Sequence, residues 1–316
     1  MEQTGARVTT RLPGAGRRVS ILGVPLGFGC SLAGVDLGPA AMRIARLNQR
    51  IAQLGYEVRD LGDMRVERPA RPAPDERAKY LPEISAACEN LAGEVQAIMR
   101  AGELPLILGG DHSIAVGSVA GVAAVARERG QALGLIWFDA HADMNTPETS
   151  LSGNVHGMPL AALLGYGPPG LTHVAGFAPK LDPRYCAHVG GRDLDPAERV
   201  LIKELGLRFF TMREIDERGM SACMDEAIAI AARAPGGYHV TFDVDALDPG
   251  DAPGSGTVVR GGLTYREAHL GMEKIAEAGG MCALEVVEIN TALDSNNRTA
   301  ELGVELILSA LGKTIL

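Results

Sequence analysis

Cysteine, aromatic residues and long apolar runs are all scarce in this chain, and each scarcity removes a class of function. The five cysteines (Cys30, Cys88, Cys186, Cys223 and Cys282) are odd in number, scattered, and never spaced C-x-x-C. That excludes a disulfide framework and a zinc ribbon, and it fits thiols packed as small apolar side chains in a reducing, cytoplasmic compartment. No apolar run approaches the ~18 residues of a membrane span. The first 18 residues carry Arg7, Arg11, Arg17 and Arg18 but no apolar core, which excludes a secretory signal. Residues 1–17 are expected to form a flexible basic tail. Aromatic residues make up only 4% of the chain, and no basic stripe interleaves with them. With 30 basic against 39 acidic residues and a net charge of −9, a general nucleic-acid surface is excluded too. A small cationic substrate fits this field better than an anionic one.

What is present is an ordinary globular composition, 46% hydrophobic and 22% charged over 316 residues. Short apolar runs alternate with longer stretches of helical spacing. Strands are expected at 18–24, 56–62, 105–110, 133–139, 186–191, 207–210, 238–244 and 283–289. Between the first two, PAAMRIARLNQRIAQLG (39–55) has apolar residues at helical spacing and a glycine stop. Eight strands alternating with helices imply a mostly parallel sheet of roughly eight strands, covered on both faces. There is no internal repeat and no low-complexity linker. The proline-rich stretch 65–77 is the best loop candidate, but it is too short and too early to divide the chain, so residues 18–316 are expected to form one domain. The opening GVPLGFGCSLAG (23–34) begins a G-x-G, yet Leu32 occupies the third glycine position of a dinucleotide motif. It is better explained as a strand-to-helix loop near a ligand.

In open parallel sheets, ligands bind outside the carboxyl ends of the strands. Three expected strands end in metal-ligand residue types: one at Asp111 and His112, one at Asp139, His141 and Asp143, one at Asp243 and Asp245. On an extended backbone, positions i, i+2 and i+4 point to one side, so each acidic set can face a common cavity. Four aspartates and two imidazoles gathered there would repel one another and lose hydration. Two divalent cations cancel four carboxylate charges. An oxygen-rich set without thiolate fits manganese, iron, cobalt or zinc, and the predominance of oxygen favours manganese. Two such ions ~3.5–4 Å apart would share a water and lower its pKa from 15.7 towards about 7. The plainer alternative for either acidic motif alone is a surface turn or a loop exit.

Four blocks then appear in order: GGDHSIAVGSV (109–119), DAHADMNTPETSLSGNVHGMP (139–159), FDVDALDPGDAPGSGT (242–257) and GGLTYREA (261–268). Together they resemble the ureohydrolase family from about residue 18 to the C-terminus, and the S-G-N-x-H-G stretch is similar to its arginase branch rather than to agmatinases. The resemblance implies a three-layer α/β/α catalytic domain with two manganese ions per subunit (cobalt being another usable ion). It implies hydrolysis of L-arginine to L-ornithine and urea by a hydroxide bridging the two ions, in a homo-oligomer, trimer or hexamer. No nucleic-acid or membrane partner is implied.

By motif position the ligands would be His112, Asp139, His141, Asp143, Asp243 and Asp245, with Asp143 also accepting a hydrogen bond from the hydroxide. Asn145, Ser152 and Asn154 would bind the α-carboxylate, Asp195 and Glu198 the α-amino group. Asp195-Pro196 followed by Glu198 is equally well explained as a helix start, and both roles can hold together. Glu288 would clamp the guanidinium, with Thr257 at the same end. His156 would shuttle a proton, although a lone histidine before a glycine is also a common structural residue. The chain departs from the family at Ala246, Val258 and Thr291, where the family often has glycine, proline and proline. These changes affect backbone stiffness and leave the ligand chemistry intact. Two rival functions remain at this stage: an agmatinase or other guanidino-acid hydrolase, and a metal-stabilised scaffold without turnover.

Overall fold

The computed structural model describes residues 12–69 and 77–314. Most of the expected tail and most of the proline-rich stretch therefore lie outside the described residues. From Leu12 to Arg17 the chain forms a turn tied to its neighbours, with Gly14 N donating to Leu54 O at 2.9 Å and Arg17 O accepting from Glu57 N at 3.0 Å.

All eight expected strands form, with ends within two residues of those read from the pattern: β1 (Arg18–Val24), β2 (Glu57–Asp63), β3 (Leu104–Gly109), β4 (Gly134–Phe138), β5 (Cys186–Gly191), β6 (Arg208–Thr211), β7 (Tyr238–Asp243) and β8 (Met281–Val287). They build one sheet in the order β2-β1-β3-β8-β7-β4-β5-β6. Every pairing between these strands is parallel. Six of the eight lie inside the sheet, and β3, β4, β5 and β7 are buried along their whole length. That explains why they read as continuous apolar runs rather than alternating ones. The edge strand β2 is mostly exposed and carries Glu57, Arg59, Asp60 and Asp63, which discourages pairing with another chain.

One face of the sheet packs against α1 (Gly38–Ile44), α2 (Leu47–Gln53), α8 (Met212–Arg218), α9 (Met220–Ala231), α10 (Tyr265–Ala278) and α11 (Arg298–Ala310). The other packs against α3 (Leu81–Arg100), α4 (Ala115–Glu128), α5 (Pro159–Leu163), α6 (Pro169–Thr172) and α7 (Pro196–Leu205). The single helix suggested by residues 39–55 is in fact two. Arg46 takes a left-handed conformation, φ 62°, and breaks the run. The turn lets α1 bury Ala41 and Met42 while α2 buries Leu47 and Ile51 in the same core.

At the β6 edge, Glu214 accepts from Arg208 and Arg218, and Arg208 lies 3.7 Å over the Phe210 ring. The Arg208 guanidinium, with Arg218, holds the Glu214 carboxyl at about 2 against the opposing effect of burial. A carboxylate depressed in the folded state stabilises it above the ordinary value of about 4.5, and that contribution is lost as pH falls through about 2. Glu214→Gln is expected to lower Tm at neutral pH by roughly 1–2 °C, the size appropriate to a partly exposed pair. Thermal melts at stepped pH should show the gap closing between about pH 4.5 and 2; a constant gap would contradict the assignment.

Candidate active site

The strand order sets the site. β3, β8, β7 and β4 are neighbours at the centre of the sheet, so the residues following their carboxyl ends meet at one place. β3 leads to Asp111 and His112, β8 to Glu288, β7 to Asp243 and Asp245, and β4 to Asp139, His141 and Asp143.

His112 is the centre of one group. Its Nδ1 lies 3.2 Å from Asp139 Oδ2, 3.1 Å from Asp143 Oδ2 and 3.2 Å from Asp243 Oδ2. None of these contacts has hydrogen-bond direction, and His112 Nδ1 and Asp143 Oδ2 are both buried without a hydrogen-bond partner. His141 belongs to a second group, its Nδ1 3.0 Å from Asp245 Oδ2 and 3.5 Å from Asp139 Oδ1. Two triads result, His112–Asp139–Asp243 and Asp139–His141–Asp245, each with ligand atoms within 4.8 Å of one another. Asp139 is common to both.

This donor set fits metal ions. Burial and Asp139 raise the Asp143 carboxyl to about 7. Burial, Asp245 and Asp139 push Asp243 well above the ordinary carboxylate value, and burial with Asp139 raises Asp245. Only Asp139 is held well below it, by the His112 and His141 rings working against burial. Four buried carboxylates on two imidazoles cannot all stay ionised by themselves, whereas oxygen and imidazole donors aimed at shared points are what divalent cations require.

The spacing rationale needs correction at two points. β4 ends at Phe138 and Asp143 is left-handed, φ 53°, so Asp139, His141 and Asp143 do not alternate along an extended strand. β7 likewise ends at Asp243, and Asp245 lies in a 3-10 turn whose N–H donates to Asp243 Oδ1 at 2.8 Å. Convergence comes from these turns. Asp139 Oδ1 accepts from His141 N at 2.8 Å and Asp245 Oδ1 from Ala140 N at 3.0 Å, so the clustered carboxylates themselves shape the loop.

Above the cluster is a cavity of about 130 Å³ lined by His141, Asp143, Asn145, His156, Gly157, Asp193, Asp195, Glu198, Asp243 and Thr257. Thr257 Oγ1 donates to Asp245 Oδ2 at 3.0 Å. Asn145 Nδ2 donates to Asp195 Oδ2 at 2.9 Å and its Oδ1 accepts from Thr149 Oγ1 at 2.9 Å. Asp195 and Glu198 form the capping box of α7, so the helix-start explanation holds. Glu198 also accepts from Met144 N at 2.9 Å and thereby ties α7 to the ligand loop.

Ser152 and Asn154 are not on the cavity wall. Ser152 is exposed and accepts from Asn154 N at 3.1 Å, while the Asn154 amide is held between Ser31 at 2.7 Å and Lys79 at 3.2 Å. Glu288 is buried below the cavity, with φ 64°. Its Oε1 accepts from His112 N at 2.8 Å and lies 3.0 Å from His156 Nδ1. Against the effect of burial, Glu288 raises the His156 imidazole to about 9.

Several participants were not singled out from sequence. Asp193 lines the cavity. Trp137 Nε1 donates to Asp139 Oδ2 at 3.0 Å, and its ring stacks on His112 with centroids 4.2 Å apart. Thr241 Oγ1 is 2.9 Å from His112 Nε2. Arg192 is part-buried and donates to the carbonyls of Asp245 at 2.7 Å and Val259 at 2.6 Å, pinning the turn that carries Asp245. Trp137 and Thr241 stand two positions before Asp139 and Asp243; the strand period of two was the available signal. The glycine-rich stretch 23–34 touches the site as expected of a loop near a ligand: Gly29 N donates to Asp111 Oδ2 at 2.8 Å and Gly29 O accepts from His156 N at 3.1 Å. A Cβ at Gly29 would fall 2.5 Å from Asp111 Oδ1, so only glycine permits that approach.

Residues 17–312 match the sequence profile described as "Arginase family". The chain belongs to the arginase family. The chain is 48% identical over 300 residues to the arginase of Brevibacillus brevis, covering 95% of this chain and 99% of that one. It is 46% identical over 300 residues to the arginase of Bacillus caldovelox, covering 94% and 99%. Its fold superposes on the crystal structure of arginase from Bacillus cereus with a TM-score of 0.89, at 45% identity and over 95% of this chain and all of the other. Family membership fits both the parallel α/β/α architecture and the paired His/Asp triads. No helix among the described residues is long and apolar enough to cross a membrane.

Proposed function

We propose that the chain is an arginase that hydrolyses L-arginine to L-ornithine and urea and uses two manganese ions. The observation that carries this reading is the pair of triads sharing Asp139, two of whose members, His141 and Asp243, line a cavity together with Asn145, Asp193 and Asp195. One end is built for cations that activate water and the other for the polar head of an amino acid.

His112, Asp139, Asp143 and Asp243 would hold one ion and Asp139, His141 and Asp245 the other. When bound, two such ions supply Lewis acidity and a water whose pKa is lowered towards about 7. The remaining work falls to the chain. Glu288 provides a buried carboxylate that matches a planar guanidinium and fixes its approach. Asp143, buried beside His112, would also accept a hydrogen bond from the attacking water. Asp193 and Asp195 favour the α-ammonium, with Glu198 holding α7 in place. Asn145, which lines the cavity, suits the α-carboxylate, whereas Ser152 and Asn154 stand off the wall and would act only through the loop that carries them. Thr257 orients Asp245. His156 lines the cavity, is held largely protonated at neutral pH, and is placed to deliver a proton to the departing amine of ornithine.

His156→Asn should therefore lower kcat about 100-fold, the lower end for a lost general acid, with metal content unchanged. A rate and a pH profile equal to those of the parent would remove its proton-transfer role. The overall reading is tested by urea release from L-arginine and from agmatine after manganese loading. A preference for L-arginine of at least about 100-fold in kcat/KM is expected, because agmatine lacks the carboxylate this pocket addresses. Equal or better turnover of agmatine would overturn it. We further propose one catalytic domain over residues 18–316, a cytoplasmic location and a homo-oligomer, trimer or hexamer, which sedimentation would resolve.

A further inference from the structure

Below the ligand cluster lies a second set of buried polar side chains that the reaction above does not use. Strand register lays it out. Ile107, Glu285, Thr241, Trp137 and His188 are successive partners on β3, β8, β7, β4 and β5, one row across the sheet. The row faces α3 and α4, where Ile107 and Trp137 join the apolar core. His112 sits on it, stacked on Trp137 and bonded through Nε2 to Thr241 Oγ1.

Glu285 is the unexplained member. It is fully buried, between Ile107 and Thr241. Its Oε2 accepts from Ser118 Oγ of α4 at 2.6 Å. Its Oε1 faces His239 Nε2 at 3.5 Å without a hydrogen bond, and neither His239 ring nitrogen has one. Burial would raise the carboxyl, yet the facing His239 ring and the Ser118 hydroxyl hold it below the ordinary range. An ion in such a layer carries a penalty of several kcal/mol, and an apolar side chain of similar volume would pack there without it. A task for the charge accounts for its presence.

The proton arrangement around His112 supplies that task. Nδ1 points at three ligand carboxylates and must be unprotonated to serve a cation, so the ring proton resides on Nε2. That N–H donates to Thr241 Oγ1, and the Thr241 hydroxyl proton must then point away from His112. Glu285 is the Cα partner of Thr241 across the β7–β8 pair, and its Oε1 is buried with no hydrogen-bond partner of its own, so the nearest strand neighbour of that hydroxyl is a carboxylate. We propose that Glu285, anchored by Ser118, is a positioning residue for His112: it polarises the Thr241 hydroxyl and so fixes the imidazole tautomer that leaves Nδ1 available to the metal ion. This rests on His112 being a metal ligand. The imidazole-to-outer-partner contacts of metal sites are worth roughly 10–100-fold in affinity.

The test measures manganese affinity of the full chain, stripped with chelator and titrated against a fluorescent competitor, beside kcat and KM for L-arginine. Glu285→Gln should weaken at least one ion about 10–100-fold, with KM at saturating manganese within about twofold of the parent. Ser118→Ala should move affinity the same way by less, and Glu285→Asp, which keeps the anion, should recover most of it. Unchanged affinities in Glu285→Gln overturn the proposal, as does a Glu285→Asp variant no tighter than the Gln variant. If Glu285→Gln does not fold, unchanged affinity in Ser118→Ala overturns it. A purely structural role would lower Tm and leave affinity alone. A parent chain that takes up no manganese would instead sink the metal-site reading, so the two failures are separable.

Discussion

Asp139→Asn should abolish activity and strip the site of metal together. Asp139 is the residue common to both triads, and its two oxygens are divided between them: Oδ2 towards His112, Oδ1 towards His141. The same oxygens accept from Trp137 Nε1 at 3.0 Å and His141 N at 2.8 Å. Asparagine keeps the volume and one acceptor but turns the other oxygen into a donor, which faces either a cation or an N–H. Both ions lose a ligand and the site loses one of its four negative charges. Affinity should fall more than about 100-fold, beyond what loss of an outer partner causes. Turnover should fall about 1000-fold or more, because hydroxide at neutral pH depends on a water pKa lowered from 15.7 to about 7. Elemental analysis of the purified variant and a urea assay check this. Two ions per chain and an ordinary rate would remove Asp139 from the site.

Glu288→Gln should leave metal bound and still disable the enzyme. The amide oxygen can accept from His112 N as the carboxylate does at 2.8 Å, so the ligand loop stays in place. What disappears is the negative charge 3.0 Å from His156 Nδ1, the charge proposed above to match the guanidinium. Truncating one partner of a buried, hydrogen-bonded charge pair costs about 2–5 kcal/mol, roughly 30- to 4000-fold in kcat/KM. The pH profile adds an independent sign. Glu288 is what raises His156 to about 9 against burial, so its neutralisation lowers that value and moves the alkaline limb of kcat to lower pH. A profile unchanged in shape would show that the two residues are not coupled.

How much of this was legible in the sequence differs by level. The eight strands were legible because buried parallel strands are short apolar runs, and the His/Asp cluster because aspartate and histidine at the ends of such runs have few other uses. Helix α7 was legible from Asp195-Pro196 and Glu198, a local signal. The break at Arg46 was not, since the apolar spacing of 39–55 continues across it and only the shared core requires a turn. The path from Asp139 to Asp143 was expected to be extended, and the left-handed residue was invisible because aspartate at that position carries no mark of it. Trp137, Thr241 and Glu285 were missed for a different reason. Each lies two or three residues before a ligand or a site residue, but their association depends on which strands are neighbours, and a strand order that places β8 between β3 and β7 is set by the packing of eleven helices rather than by any one segment.

Asp143 and Glu288 adopt left-handed backbone, at φ 53° and 64°, a conformation that costs a non-glycine residue about 1–3 kcal/mol. At both positions glycine would relax the chain and would also remove the chemistry. An engineer seeking a more heat-resistant enzyme would find these among the easiest gains on paper and the least usable, so durability has to come from the helices and edges. The fold must hold enough reserve elsewhere to keep two uncomfortable residues where the reaction needs them.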